Sequence, residues 1–238
     1  MKLISYNIHR GVDRRGRPCL DAIADALADL RPDLLACQEV LRPGSGADQA
    51  ERLAGRLGLC PLFEPNATTR HGPLGNAILG PAEAVPIGNL DLSVPGSEPR
   101  GALRARVGRT LELWNTHLGL SARQRALQWQ RLCDHLPAAD VALVLCGDFN
   151  DWRGGLDRAV RQAGLRSALD ARPRPERRTF PAHRPWLALD RVYCRGIAIA
   201  SAQVLRGAPW NVLSDHLPVE VRFAIPPDEP PAEPSVPC

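Results

Sequence analysis

Asp148 and Asn150 stand two residues apart at the end of the run Val-Ala-Leu-Val-Leu-Cys-Gly-Asp-Phe-Asn, residues 141–150. On an extended chain that spacing points both side chains the same way. The apolar part of the run has the length and content of a strand covered on both faces. A rigid buried strand thus delivers a carboxylate and a carboxamide, side by side, to its C-terminal rim. Catalytic groups need this combination of firm support behind and open space in front. The same two residues also favour turns, and alone the pair reads as either.

The device recurs along the chain. Asn7 follows the strand-like Lys2–Tyr6, Glu39 follows Asp33–Cys37, and His117 follows Thr110–Thr116. Asp190 lies within Leu187–Tyr193, where a carboxylate is costly to bury unless it is paired. Asp215 and His216 precede the last strand, Val219–Ile225, and such a pair can serve a metal and a proton transfer respectively. Arg100 precedes the strand Ala102–Val107 and could aim a guanidinium at a phosphate. Each of these also has a bland reading: a turn residue, a solvated strand end, a satisfied structural histidine.

The elements that must position these residues follow from hydrophobic period. Ile23, Ala26, Leu27 and Leu30 mark a helix over Asp21–Leu30, and Ala50, Leu53, Ala54 and Leu57 mark one over Ala47–Leu57 with Gly58 as its cap. Ser121 and Gln124 form a capping box for a helix over Ser121–Leu136. A shorter helix carries Leu156, Ala159, Val160 and Ala163 and ends at Gly164. Cys60–Phe63 and Gly75–Gly80 read as strands around a polar loop containing Arg70 and His71. Ile87–Arg100 reads as an excursion between strands. Arg104 and Arg106 read as a solvated strand face. Ala171–Pro185 holds Arg172, Arg174, Arg177, Arg178 and Arg184. It reads equally as an electrostatic funnel for phosphates or as a solvated loop. Trp152, Trp186 and Trp210 stand near the site motifs, where they could stack on bases or simply be packed.

Composition bounds the rest. At 238 residues, with 44% hydrophobic and 24% charged residues, the chain is one large domain or two small ones with room for a core. A net charge of +4 is compatible with a phosphate-bearing ligand without being diagnostic. The seven cysteines are odd in number and form no C-x-x-C pair, so they read as reduced thiols with no zinc spacing. The chain opens directly on a strand with no signal-like segment and has no membrane-spanning run, so a cytoplasmic protein is expected. Pro226–Cys238 reads as a disordered, Pro-rich tail.

Taken together, the motifs are specific. Ser-Tyr-Asn-Ile-His at Asn7, Gln-Glu-Val at Glu39, Asn-Thr-His-Leu at His117, Gly-Asp-Phe-Asn at Asp148 and Asn150, Leu-Asp-Arg-Val at Asp190, and Ser-Asp-His-Leu-Pro-Val at Asp215 and His216 occur in this order. The chain, from Lys2 to about Ile225, resembles the endonuclease/exonuclease/phosphatase superfamily, most closely its small bacterial members. The resemblance implies an α/β (α+β) fold, a DNase I-like four-layer αββα sandwich of two mixed β-sheets over residues 1–225. It implies one Mg²⁺ or Mn²⁺ mainly on Glu39, with Asn7 and Asp215 nearby; hard oxygen donors suit that ion. It implies hydrolysis of a phosphate ester by in-line attack of water. Asp148 orients or deprotonates the water, Asn150 and His117 hold phosphoryl oxygens, and His216, oriented by Asp190, stabilises the transition state or exchanges a proton. Arg100 and Thr179 are further phosphate contacts. The chain departs from the pattern in one respect. No counterpart is recognisable of the acidic residue that some nucleases place opposite the first site histidine, so His117 is expected to be held differently. The expected partner is a phosphate ester: nucleic acid for a nuclease, or a lipid head group or small ester for another phosphoesterase, acted on by a monomer. A non-catalytic binding module on this fold is disfavoured by the intact set of carboxylates, amides and histidines.

Overall fold

Parallel strands cannot be joined by a hairpin and need a crossover, usually a helix. Two such crossovers order this chain. In the computed structural model, which describes residues 1–44 and 48–225, the elements run β1 (Lys2–Asn7), α1 (Leu20–Leu30), β2 (Leu34–Leu41), α2 (Gln49–Leu57), β3 (Cys60–Thr69), β4 (Gly72–Gly80), β5 (Val85–Asp91), β6 (Gly101–Val107), β7 (Leu111–His117), α3 (Ala122–Asp134), β8 (Ala142–Asp148), α4 (Asp157–Gln162), β9 (Arg166–Ser167), β10 (Asp190–Arg195), β11 (Ala198–Val204), α5 (Trp210–Leu213) and β12 (Val219–Ala224). One six-stranded sheet has the order β11-β12-β1-β2-β4-β3 and the other β5-β6-β7-β8-β10-β9. The β1–β2 and β7–β8 pairs are parallel, joined through α1 and α3, and the other pairs are antiparallel. Both sheets are therefore mixed, as expected.

Strand alternation sets the layers. In β8, Ala142, Val144 and Cys146 face the interior between the sheets, packing with β1 and β2. Leu143 and Leu145 face the opposite way, against Trp129 and Leu132 of α3 and Val160 of α4. On the far side Ile23 and Leu27 of α1 and Leu53 of α2 join the core of the first sheet. The result is helices, sheet, sheet, helices. Asn115 of β7 ties the two sheets together. Its amide donates to the carbonyls of Cys37 and Ala77, both at 2.8 Å, and its oxygen accepts from Gln38 at 2.7 Å. A buried amide satisfied on three sides fixes the relative register of the sheets.

Several boundaries differ from the sequence reading. The polar loop around Arg70 and His71 is only the tip of a long hairpin: β3 and β4 pair out to Thr69 and Gly72 across a bulge at Pro65. Of the expected excursion Ile87–Arg100, the first residues belong to the edge strand Val85–Asp91, and 92–100 run irregularly between strands. Pro86 is tolerated on the edge strand beside a register shift between Pro86 and Gly88. β11 was not legible, because Ala198–Val204 is small and weakly patterned. Asp190 is the first residue of β10, not a residue within a longer strand. The expected tail, residues 226–238, and Ala47 at the start of the second expected helix lie outside the described residues; the observed α2 is capped by Asp48, which accepts from the Ala50 amide. No helix among the described residues is long and apolar enough to cross a membrane.

Candidate active site

Register carries the motif residues to one rim. Parallel pairing of β1 and β2 sets Asn7 opposite Gln38, the neighbour of Glu39. Parallel pairing of β7 and β8 sets His117 opposite Asp148, and antiparallel β10 begins with Asp190 opposite Asp148. The approach of β7 to β8 is close at Gly147, which has φ 134°. A Cβ there would sit 1.9 Å from the Thr116 carbonyl oxygen, so only glycine fits immediately before Asp148.

Asp148 is where the groups converge. Its Oδ2 accepts from Asn7 Nδ2 at 3.2 Å and lies 3.4 Å from His117 Nε2 and 3.6 Å from His216 Nε2. Its Oδ1 accepts the Asn150 amide at 3.0 Å. Asn150, at φ 49°, donates one side-chain N–H to the Leu118 carbonyl at 2.9 Å and keeps the other.

The two histidines have opposite electrostatics. Burial disfavours the charged form of both. For His117 burial dominates and, with Arg100 and His216 nearby, outweighs the pull of Asp148, so its pKa is lowered to about 4. For His216 the same burial penalty is overcome by the carboxylates of Asp190 and Asp148, and its pKa is raised to about 10. Phe180 packs on the His216 ring at 4.9 Å between centroids. Arg100 lies 3.2 Å from His117 Nδ1, the position for which no acidic partner was recognised in the sequence.

Thr179 is placed differently from its sequence expectation. It is fully buried, and its Oγ1 accepts the amides of Leu189 and Asp190, both at 3.2 Å. That geometry holds the first residue of β10 rather than reaching a phosphate in the open cleft. Trp210 is likewise no stacking surface: it is buried edge-on against Tyr6 at 5.8 Å. None of the five arginines of the basic loop lines the cleft. Arg172 donates to the Ala202 carbonyl, and Arg177 donates to the carbonyls of Arg172 and Asp170.

Glu39 sits on a bulge of β2, where pairing with β4 shifts between Cys37 and Val40. At φ 54° it is one of five non-glycine residues with positive φ among those described, and His9, Arg10 and Asn150 are three others at the same rim. Strain of this kind clusters at sites whose surroundings over-determine the backbone. Asn7 donates to Glu39 Oε1 at 3.2 Å, while its own Oδ1 accepts the His9 amide and retains a second lone pair. Asp215 accepts from Ser214 Oγ at 3.3 Å. The basic neighbours are more distant: Arg10 lies 3.8 Å from Glu39 Oε2, and His9 lies 3.8 Å from Asp215 Oδ1, the oxygen that accepts from Ser214, both too far for hydrogen bonds. These partly exposed hard oxygens suit a divalent cation that prefers oxygen ligands. Asp148, Asp190 and His216 form a second acid–histidine grouping, all within 4.8 Å. Its closeness is that of the Asp190–His216 hydrogen bond, which already uses His216 Nδ1.

Around this point lies a cleft of about 550 Å³ lined by Glu39, Arg100, His117, Asp148, Asn150 and His216 on one side. The other side is apolar, with Leu120, Trp152, Phe180, Leu187 and Leu189. Leu120 is 71% exposed and Trp152 49%. Sequence reasoning passed over the supports. Buried Arg125 of α3 donates to the Leu120 carbonyl at 2.6 Å and lies 3.7 Å from Asp151. Asp151 in turn accepts the amides of Gly155 and Leu156. This pair fixes the loops after β7 and β8 against each other. An Asp directly following Asp148-Phe-Asn150 was the available signal for Asp151. Nothing in a helical Arg announced Arg125.

Comparisons with known proteins bear on family and fold. The family model described as Endonuclease/Exonuclease/phosphatase family matches residues 4–216. The uncharacterized protein YbhP of Escherichia coli strain K12 is 32% identical over 247 residues, covering 93% of this chain and 95% of that protein. An endonuclease/exonuclease/phosphatase from Beutenbergia cavernae superposes with TM-score 0.76 at 20% identity, covering 94% of this chain and 71% of that one. The human Nocturnin catalytic domain with bound sulfate anion superposes with TM-score 0.72 at 22% identity, covering 94% and 93%. This chain belongs to the endonuclease/exonuclease/phosphatase family, whose members are hydrolases acting on phosphate esters.

Proposed function

We propose that this protein is a divalent-metal-dependent phosphodiesterase that directs water in line at a phosphate. The observation that carries the reading is the convergence of Asn7, His117 and His216 on the single oxygen Asp148 Oδ2, within 3.2–3.6 Å. A carboxylate held in that manner is oriented to take a proton from, or align, an attacking water. His216 carries positive charge at neutral pH and offers Nε2–H to the charge that develops on phosphorus-bound oxygens. His117 Nε2 and the second N–H of Asn150 complete the set of donors. A bound sulfate in the Nocturnin structure is a tetrahedral anion of phosphate shape, in keeping with this use of the fold. Glu39 and Asp215, with Asn7, would hold Mg²⁺ or Mn²⁺, which supplies charge neutralisation at phosphate and leaving oxygen.

The cleft also bears on substrate. Its exposed apolar wall favours an ester that places an apolar or aromatic group beside the phosphate. Trp152, 49% exposed on that wall, suits a nucleobase, which supports a nuclease. The arginines tied to backbone outside the cleft favour the alternative, a lipid head group or small phosphate ester. Six free thiols among the described residues suit a cytoplasmic protein; we place it there as a monomer.

The test is a metal panel on the purified protein. Bis(p-nitrophenyl) phosphate, p-nitrophenyl phosphate, single- and double-stranded DNA, RNA and a phospholipid are each assayed with Mg²⁺, with Mn²⁺ and with chelator. Turnover lost with chelator and in Glu39→Gln, with folding intact by circular dichroism, is expected. Metal binding absent from the wild-type chain would overturn the reading.

A further inference from the structure

Arg100 Nη1 lies 3.2 Å from His117 Nδ1, and Arg100 Nη2 donates to Glu98 at 3.0 Å. The Arg100 side chain is 10% exposed. A guanidinium has N–H donors, no acceptor lone pair, and stays charged in proteins. Its contact with Nδ1 is therefore a hydrogen bond only when that nitrogen is bare. The neutral ring with its proton on Nε2 meets this condition. The other tautomer, and the imidazolium, would set one N–H against another. Nε2 in turn faces Asp148 Oδ2 at 3.4 Å, where an N–H has an acceptor. The groups facing His117 are Asp148, Arg100 and His216, with Glu98 reached through Arg100.

We infer that Arg100 is a positioning residue that locks His117 as the neutral Nε2–H tautomer, making it a fixed hydrogen-bond donor to the substrate phosphate and not a base. The donor role rests on the phosphoesterase reading above; the tautomer does not. The logic is the mirror image of the other histidine. A carboxylate on Nδ1 leaves His216 ready to carry charge, whereas a guanidinium on Nδ1 keeps His117 neutral, so one cleft holds two imidazoles in opposite states. Each Nη spends one of its two N–H groups on these contacts, to His117 and Glu98, and Nε is buried without a partner.

The experiment uses the full chain labelled with ¹⁵N-histidine, with His117 assigned by loss of its signals in His117→Asn. Two-bond ¹H–¹⁵N correlation at pH 7 is expected to show a bare Nδ1 and a protonated Nε2. Arg100→Met is expected to bring in a population protonated at Nδ1. Arg100→Lys, still a cation without an acceptor, is expected to restore the wild-type pattern. On bis(p-nitrophenyl) phosphate, Arg100→Met should lower kcat by roughly 10²-fold, the loss typical of one preorganised donor, with KM little changed and partial recovery in Arg100→Lys. A protonated Nδ1 in the wild-type chain would overturn the lock. So would Arg100→Met raising KM alone with the tautomer unmoved, because that is the signature of a phosphate contact. If the nitrogen pattern holds but no phosphate ester is turned over, the phosphoesterase reading fails and the tautomer assignment stands.

Discussion

Asp190 Oδ2 lies 2.8 Å from His216 Nδ1, with both side chains buried, so an imidazole proton points at a carboxylate inside the protein. The pairing fixes which nitrogen faces the cleft: Nε2 is left toward Asp148. It also explains how an acid can begin a buried strand, since an unpaired carboxylate there would be neutralised or expelled. Asp190→Asn keeps the shape and removes the charge. We expect kcat to fall by about 10²- to 10⁴-fold, the range for losing a proton-transfer or charge-stabilising group, with KM changed much less. Steady-state kinetics beside a near-UV circular dichroism spectrum check this; a wild-type kcat in a folded variant would remove His216 from the mechanism.

How much of this was legible in the sequence follows from what each residue depends on. The carboxylates, amides and histidines announced themselves because each ends an apolar run, and strand period fixes where a side chain points. Asp148, His117 and Asp190 meet through strand register, which parallel and antiparallel pairing propagate from local pattern. Thr179 could not be placed in that manner. Its hydroxyl is used eleven residues along the chain, at the Asp190 amide, and only the folded loop shows whether it faces outward or inward. Arg125 and Asp151 are long-range for the same reason. The edge strands β5 and β11 were illegible because half their pairing and much of their burial are missing, so composition there reports the exposed side.

Thr179 gives a prediction that separates support from contact. Thr179→Val keeps the volume but leaves the Leu189 and Asp190 amides without their shared acceptor. Two buried donors left unpaired should cost about 1–3 kcal/mol each. We expect a lower urea midpoint and a reduced kcat, with Thr179→Ser close to wild type in both. A phosphate contact would instead raise KM and leave the midpoint where it was.

His117 makes stability depend on pH with a definite sign. Folded, burial first and then Arg100 and His216 hold its pKa down to about 4; unfolded, it returns to its ordinary 6.5. Between those values the unfolded chain binds the extra proton, so stability rises with pH across this window and is lost as acid is added. The full shift corresponds to about 3 kcal/mol. In chelator, urea unfolding at pH 7 and pH 4.5 should show the wild-type chain losing about 2 kcal/mol more than His117→Asn over that interval. Carboxylates common to both proteins cancel in the difference. Equal losses in the two would mean that His117 is not held neutral by the fold.

On the phosphoesterase reading proposed above, the apolar wall bears on what kind of ester fits. Trp152 is half exposed and Leu120 mostly so, an unfavourable use of large side chains unless something covers them. Both line the cleft that holds Asp148 and His216, so the substrate itself is the natural cover. The contact recorded for the Trp152 ring is the Arg153 guanidinium, 5.0 Å over it. Trp152→Ala should therefore leave the chemistry of a small phosphate ester intact while weakening esters that carry a broad aromatic or base-like group. Stacking on an aromatic side chain is worth about 1–3 kcal/mol per base, so the loss in kcat/KM should be roughly 5- to 150-fold for those substrates and under about twofold for a small alkyl phosphate ester. Repeating the comparison in rising salt then divides the two substrate readings. A nucleic acid loses affinity steeply because counterions return to its backbone, whereas a single phosphate ester loses little. A uniform loss across all substrates would place Trp152 in the fold of the loop after β8 instead of in recognition.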